Sequence, residues 1–231
     1  MRISEIYTSI QGEGPGAGSP TTFIRFAGCN LKCAGWPCDT QHAIDPKRYR
    51  HEWQVMMPEE IQAAVPMYPL AVTLTGGEPL IQPAEEMERL VDALWQRGCK
   101  IELFTNGTQP LPTWVRRLDG VSVIMDWKLS SSGEDPHNDT RYDNVSLLRE
   151  MDAIKFVCTS IDDVKQALRF ADNIREIIDD DFPPQFYLGV AWGRLKESEL
   201  AEYMVAAEVP LTWKLNVQVH NYIWPRDERR R

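Results

Sequence analysis

Apolar positions along the chain fall into short runs separated by longer periodic stretches, a pattern that predicts alternating strands and helices. Runs rich in β-branched and aromatic residues at 22–27, 71–75, 100–105, 121–127, 153–159 and 185–192 read as strands. Between them, Pro58-Glu59-Glu60 opens a helix with a proline and an acidic first turn, and 83–97 begins acidic, ends basic and stops at Gly98. Stretches 162–178 and 197–207 repeat apolar residues at three and four spacing, as helices with one buried stripe do. Strands alternating with helices join through right-handed crossovers into a parallel sheet. Six such units are too few for a closed eight-stranded barrel, so the α/β fold expected is an open partial (β/α)6 barrel. No internal repeat divides it, and one domain over 1–231 is the expected organisation.

Composition supports a chain with a sizeable core: 231 residues, 43% hydrophobic and 26% charged. No apolar run approaches the ~18 residues that a membrane-spanning helix needs. The start, Met1-Arg2-Ile3-Ser4-Glu5, lacks the apolar stretch of a signal peptide, so a cytoplasmic protein with no membrane partner is expected. With 25 Lys+Arg against 34 Asp+Glu the formal charge is −9, which argues against a protein that wraps nucleic acid. The basic run 226–231 also holds Asp227 and Glu228 and reads as a solvated terminus.

Of five cysteines, Cys99 and Cys158 stand alone in strand-like segments, where a thiol behaves as a small buried apolar group. Cys29, Cys33 and Cys38 instead fall in the loop 28–40, after the first strand-like run. In βα folds the loops at the carboxyl ends of strands carry the chemistry, so this loop should share a rim with Thr75-Gly76-Gly77-Glu78-Pro79 and Thr105-Asn106-Gly107-Thr108. Three thiolates do not complete the four ligands of structural zinc, and the loop holds no His, although His42 follows it; a zinc-binding interaction module is the remote alternative. An iron–sulfur cluster held by three cysteines leaves one iron open to an external molecule.

With its loops in this order the chain resembles the radical S-adenosylmethionine enzymes, whose cluster loop follows the first strand of a partial βα barrel. That superfamily usually places three residues between the first two cysteines and two between the second and third, with an aromatic before the third. Here Cys29 and Cys33 keep the first interval, while Ala34-Gly35-Trp36-Pro37 makes the second two residues longer and puts Pro37 where the aromatic stands. Within the superfamily, residues 3–14, 23–31, Cys38-Asp39-Thr40, the Gly76-Gly77-Glu78-Pro79 and Asn106-Gly107 loops, Asp126-Trp127-Lys128 and 218–224 are similar to successive blocks of the 7-carboxy-7-deazaguanine synthase family.

That resemblance implies a [4Fe–4S] cluster on Cys29, Cys33 and Cys38, and S-adenosylmethionine held by Pro37, Cys38, Asp39, Gly77, Glu78, Asp126, Trp127 and Lys128. Of the last three, only Lys128 matches the relatives' Ser-Pro-Lys by type. It implies Mg2+ on the Thr40 hydroxyl, and a substrate site at Ile10, Gln11, Gly12, Arg25 and Thr75. The implied reaction is radical ring contraction of 6-carboxy-5,6,7,8-tetrahydropterin to 7-carboxy-7-deazaguanine with loss of ammonia, in 7-deazapurine (queuosine-type) biosynthesis. No side chain is assigned as a catalytic acid or base. An external one-electron reductant such as flavodoxin and a homodimer are implied as well. A glycyl-radical-enzyme activase is the nearer alternative, sharing the cluster and cofactor loops without a need for Arg25, Gln11 and Thr40 as a small-molecule pocket.

Each of these residues also has a plainer reading. Gly76-Gly77 suits any tight strand-to-helix turn. Arg25, between Phe23, Ile24 and Phe26, lies either on an exposed face or against an anion, and the substrate carboxylate is the expected anion. Thr40 is an ordinary helix cap, Asp126 and Lys128 suit a solvated rim, and residues 11–14 suit a flexible Gly-rich loop. Gln218 and His220 either close the pocket or sit in the core.

Overall fold

The computed structural model describes residues 1–36, 38–135, 137–174, 177–178 and 183–225. Pro37 and the basic run 226–231 therefore lie outside the described residues. Nine strands occur among those described: β1 (Arg2–Ile10), β2 (Pro20–Phe26), β3 (Gln54–Val55), β4 (Ala71–Gly76), β5 (Lys100–Thr105), β6 (Val121–Trp127), β7 (Ala153–Cys158), β8 (Gln185–Val190) and β9 (Trp213–Asn216). They form one sheet in the order β3-β1-β2-β4-β5-β6-β7-β8-β9. Every pair from β2 to β9 is parallel, whereas β1 runs antiparallel to both β2 and β3. The sheet does not close, so the barrel is open, as the βα pattern predicts.

Helices α1 (Gln41–Ile44), α2 (Pro46–Tyr49), α3 (Pro58–Ala64), α4 (Ala84–Gln96), α5 (Trp114–Arg117), α6 (Asp139–Val145), α7 (Ile161–Ile174), α8 (Glu197–Ala206) and α9 (His220–Ile223) fill the connections. The stretch read as a helix over 162–178 is helical to Ile174, and its next two residues fall outside the described set. Three strands escaped the sequence pattern. In β1 the register slips between Ile3 and Glu5, which breaks the two-residue alternation by which a strand is recognised. β3 has 2 residues and β9 has 4, too short to show a period.

Alternation along the parallel strands sorts residues onto two faces. One face carries Ile24, Phe26, Leu74, Ile101, Leu103, Met125 and Phe156, all inaccessible to solvent. It packs on Met87, Leu90, Val91 and Leu94 of α4 and on Val164, Ala167, Phe170 and Ile174 of α7, within one continuous core. Each such aliphatic side chain contributes roughly 1.5–3 kcal/mol on full burial. The opposite face carries Arg25, Thr73, Thr75, Glu102, Asp126 and Lys155, and this polar face lines the barrel interior.

Residues 11–19, joining β1 to β2, turn into that interior rather than away from it. The Gly18 N–H donates to the Gln11 carbonyl at 2.8 Å, the Gly14 N–H to Asn216 Oδ1 at 2.9 Å, and the Val219 N–H to the Gly12 carbonyl at 3.0 Å. The Gly-rich loop is thus pinned between β1–β2 and the residues around β9.

Candidate active site

The cysteine loop leaves β2 under tight constraint, with the Gly28 N–H donating to the Ala43 carbonyl at 2.7 Å. The exit of β4 crosses directly beside it. Gly76 has φ +133°, and a Cβ there would lie 2.1 Å from the Phe26 carbonyl oxygen; a Cβ on Gly77 would lie 1.9 Å from that of Gly28. Only glycine permits this approach, so the Gly-Gly pair is required by the crossing of the two loops. Beneath them opens a cavity of about 490 Å³, within the range of small-molecule sites.

Cys29, Cys33 and Cys38, each half-buried, line this cavity together with Asp39, Thr40 and Gly77. Burial raises the thiols of Cys29 and Cys38, and it holds Cys33 at about 11 against the pull of Lys128. The free thiols are therefore protonated at neutral pH, and a metal centre has to displace those protons. Among the described residues no group of three or more His, Cys, Asp or Glu side chains converges as a single ion requires. A cluster makes a different demand, because each iron takes its own thiolate. Three soft donors set apart along one loop fit that demand better than they fit zinc, and His42 is engaged elsewhere, 2.9 Å from Glu5 Oε1.

Glu78 does not line the cavity. It is 0% exposed and accepts from the Leu80 N–H (3.0 Å), Thr105 Oγ1 (2.8 Å) and the Asn106 N–H (2.7 Å). Burial raises its pKa while these donors oppose the rise. Its carboxyl group ties the loop after β4 to the loop after β5. Trp127 also turns away, its ring inaccessible, packed edge-on against Tyr142 and tilted against Phe170. Asp126 and Lys128, one residue to either side, do face the cavity and pair at 2.9 Å.

Ile10, Gln11, Gly12, Arg25 and Thr75 all border the same cavity. Within the chain, the anion that holds Arg25 is Glu5: Nε donates to Oε1 at 2.9 Å, and Nη2 donates to the Tyr7 hydroxyl at 3.1 Å. Although burial opposes ionisation of Glu5, His42 and Arg25 more than reverse it and hold the carboxyl at about 2. The Gln11 amide donates downward to Thr73 Oγ1 (3.0 Å) and Glu102 Oε2 (2.7 Å), so its side chain braces the floor and the backbone of 10–12 faces the space above. Thr40 stands at the N-terminus of α1 but makes no side-chain cap; its Oγ1 lies 3.2 Å from Cys38 Sγ.

The sequence reading did not single out Glu13 and Lys155. Lys155 Nζ lies 2.7 Å from Glu13 Oε2 and 3.7 Å from Asp126 Oδ2, deep in the cavity wall. Burial opposes both charges, yet the pairing keeps Glu13 below and Lys155 above their usual ranges. A lysine inside the otherwise apolar run of β7 was the available signal, since an unpaired buried lysine is rare. Gln218 and His220 border the cavity as well, His220 at the start of α9 rather than in a strand.

An open βα barrel whose first parallel strand feeds a three-thiol loop is the frame of a single-cluster iron–sulfur protein, and residues 10–144 match the family model described as a 4Fe-4S single cluster domain. The 7-carboxy-7-deazaguanine synthase of Methanospirillum hungatei JF-1 is 33% identical over 96% of this chain and 85% of its own length. That of Clostridium acetobutylicum is 31% identical over 99% and 98%. The chain belongs to the 7-carboxy-7-deazaguanine synthase family. Its fold is also that of QueE from Escherichia coli, with TM-score 0.72 at 24% identity over 95% of this chain and 94% of that one.

Proposed function

We propose that the protein is a radical S-adenosylmethionine lyase that contracts the ring of 6-carboxy-5,6,7,8-tetrahydropterin to 7-carboxy-7-deazaguanine with loss of ammonia, in 7-deazapurine biosynthesis. The observation that carries this reading is the shared cavity: the three-thiol loop, the Gly76-Gly77 crossing, Arg25 and the 10–12 backbone all border one space. When bound, the [4Fe–4S] cluster and S-adenosylmethionine supply the radical that takes hydrogen from the substrate. The chain's own residues position and exclude. Cys29, Cys33 and Cys38 ligate the cluster, while Gly77, Asp39, Asp126 and Lys128 border the cofactor; Lys128 is held charged by Asp126 despite burial. Pro37 belongs with them by its place in the loop. The Gly77 backbone and the Asp126–Lys128 pair offer acceptors and donors to the amino-acid end of the cofactor.

Arg25 meets the substrate carboxylate, its Nε already fixed by Glu5 so that the rest of the guanidinium is preoriented. Thr75 and the backbone of Ile10, Gln11 and Gly12 meet the pterin's amide edge. Thr40 Oγ1 would hold Mg2+, a hard ion that needs few protein ligands where substrate and water supply further oxygens. The proposal extends to one catalytic domain, a cytoplasmic setting, an external reductant such as flavodoxin and a homodimer. Among the described residues no helix is long and apolar enough to cross a membrane. Anaerobic incubation of reconstituted protein with the carboxypterin, S-adenosylmethionine, Mg2+ and dithionite should yield a product with the mass of 7-carboxy-7-deazaguanine. Recovery of unchanged pterin alongside consumed cofactor would sink the reading.

A further inference from the structure

The cysteine loop is not self-supporting. Cys33 sits at φ +44°, in the left-handed region that residues with a side chain avoid, so its shape has to be imposed by its surroundings. The imposing group is Glu134, 101 residues away in sequence. A single oxygen, Oε1, accepts the N–H of Lys32 at 2.7 Å and the N–H of Cys33 at 2.6 Å. Glu134 is itself anchored, its N–H donating to Ser132 Oγ at 3.1 Å while that hydroxyl donates to the Leu129 carbonyl at 2.7 Å. Two residues further along the loop, the Gly35 N–H donates to the Ser132 carbonyl at 2.9 Å. A Cβ at Gly35 would fall 1.8 Å from the Ser131 carbonyl oxygen, so the seat accepts glycine alone.

Segment 130–134 follows β6, and the cysteine loop follows β2, strands that do not pair with one another. The contact therefore spans the barrel mouth, linking the three thiols to the loop that begins with Lys128. We infer that Glu134 is a positioning residue, whose carboxylate holds the cysteine loop in its ligating shape before any cluster arrives, and that the Gly35 seat accommodates the two additional residues between Cys33 and Cys38. The inference rests on the loop being the cluster loop and not on the identity of the substrate.

Geometry, not charge, does the holding in this account, which makes Glu134→Gln the informative partner of Glu134→Ala: the glutamine carbonyl oxygen accepts the same two N–H groups. In cluster-free protein, amide hydrogen exchange at residues 32 and 33 should accelerate about tenfold in Glu134→Ala, since two hydrogen bonds close that opening. Exchange in helix Ala84–Gln96 should stay at the wild-type rate, which separates local loosening from misfolding. Under anaerobic ferrous iron and sulfide, the same variant should take up iron roughly tenfold more slowly than wild type. Glu134→Gln should stay within about twofold on both readouts. Gly35→Ala should lose iron uptake while leaving the helix exchange unchanged. Wild-type exchange at 32 and 33 in Glu134→Ala would overturn the inference, as would faster exchange with an unaltered rate of iron uptake, or a glutamine variant as impaired as the alanine one. Because neither readout involves turnover, a protein that passes them yet makes no deazapurine keeps the clamp and loses only the proposed function.

Discussion

Five cysteines occupy two kinds of place in this protein. Cys99, just before β5, and Cys158, the last residue of β7, are 3% and 0% exposed and belong to the core beneath the helices. Cys29, Cys33 and Cys38 line the cavity, in the loop that follows β2, and are half-exposed. Burial raises every thiol with a resolved shift, but what else each one meets differs. Around Cys158 the other influence is the carboxylate of Asp163, which pushes its thiol further up, beyond the usual range. The rim thiols meet the Leu31 N–H at 3.4 Å from Cys29, the Thr40 hydroxyl at 3.2 Å from Cys38, and the cation Lys128, which oppose that rise, while Glu78, Asp126, Glu134 and Asp39 add to it. A thiol with access to an open cavity, donors and a cation is one from which an arriving metal can displace the proton, whereas a thiol sealed in the core stays a small apolar filler.

The sharpest way to break this comparison is to delete the two kinds in turn. Cys29→Ala, Cys33→Ala or Cys38→Ala should abolish both iron loading, expected at about four irons per chain, and product formation. Cys158→Ala should keep its iron and lower unfolding free energy by about 1 kcal/mol, the scale of a small buried group removed. Full iron content in Cys38→Ala would remove the longer-spaced third cysteine from the site.

Next in size is the ion pair in the cavity wall. Lys155→Met leaves Glu13 and Asp126 buried with one cation fewer, and should cost about 3 kcal/mol in a urea unfolding series at pH 7. A variant as stable as wild type would show that Gln218 and Lys128 alone satisfy the two carboxylates.

A comparable loss is expected in binding for Arg25→Ala, which should weaken the carboxypterin by about 2–3 kcal/mol in calorimetry while sparing S-adenosylmethionine. Arg25→Lys should restore only part, because a point charge does not reproduce the fork. Unchanged affinity in both would leave Arg25 as the partner of Glu5 alone.

Acid sensitivity sharpens the same wall. The Glu5 carboxyl is lowered in the folded state from 4.5 to about 2, so its contribution is fully present above pH 4.5 and is lost as pH falls toward 2. Wild-type stability should therefore decline across that window, and Glu5→Gln, less stable at pH 7, should decline less steeply. Parallel pH profiles for the two would assign the acid limb to other groups.

The smallest effect expected is at Thr40. Thr40→Val keeps the shape and removes the oxygen, so it should raise the Mg2+ concentration needed for half-maximal rate by about tenfold, with little change in unfolding temperature because no cap is lost. Superimposable rate curves for the two proteins would take Thr40 out of the metal site.

Much of this was legible in the amino-acid order itself. Six strand-like runs and the helices between them follow from local periodicity, and α4, with its apolar residues on one stripe, closely matches its expected bounds. Cysteine spacing and the Gly-Gly loop were equally visible, since a tight turn and a set of thiols are properties of neighbours in sequence. Tertiary structure alone decided the direction of side chains and the partners drawn from afar. It tied the Glu78 carboxylate to two loops, turned the Trp127 ring into the core, and gave Arg25 an internal carboxylate. It also brought Glu13 to Lys155 and Glu134 to Cys33, pairs separated by 142 and 101 residues. Local order fixes what each segment tends to become, because backbone preference and period act over a few residues. Which face of a strand meets a cavity, and which distant charge completes a buried pair, depends on how the whole sheet curls, and no window of sequence contains that curvature.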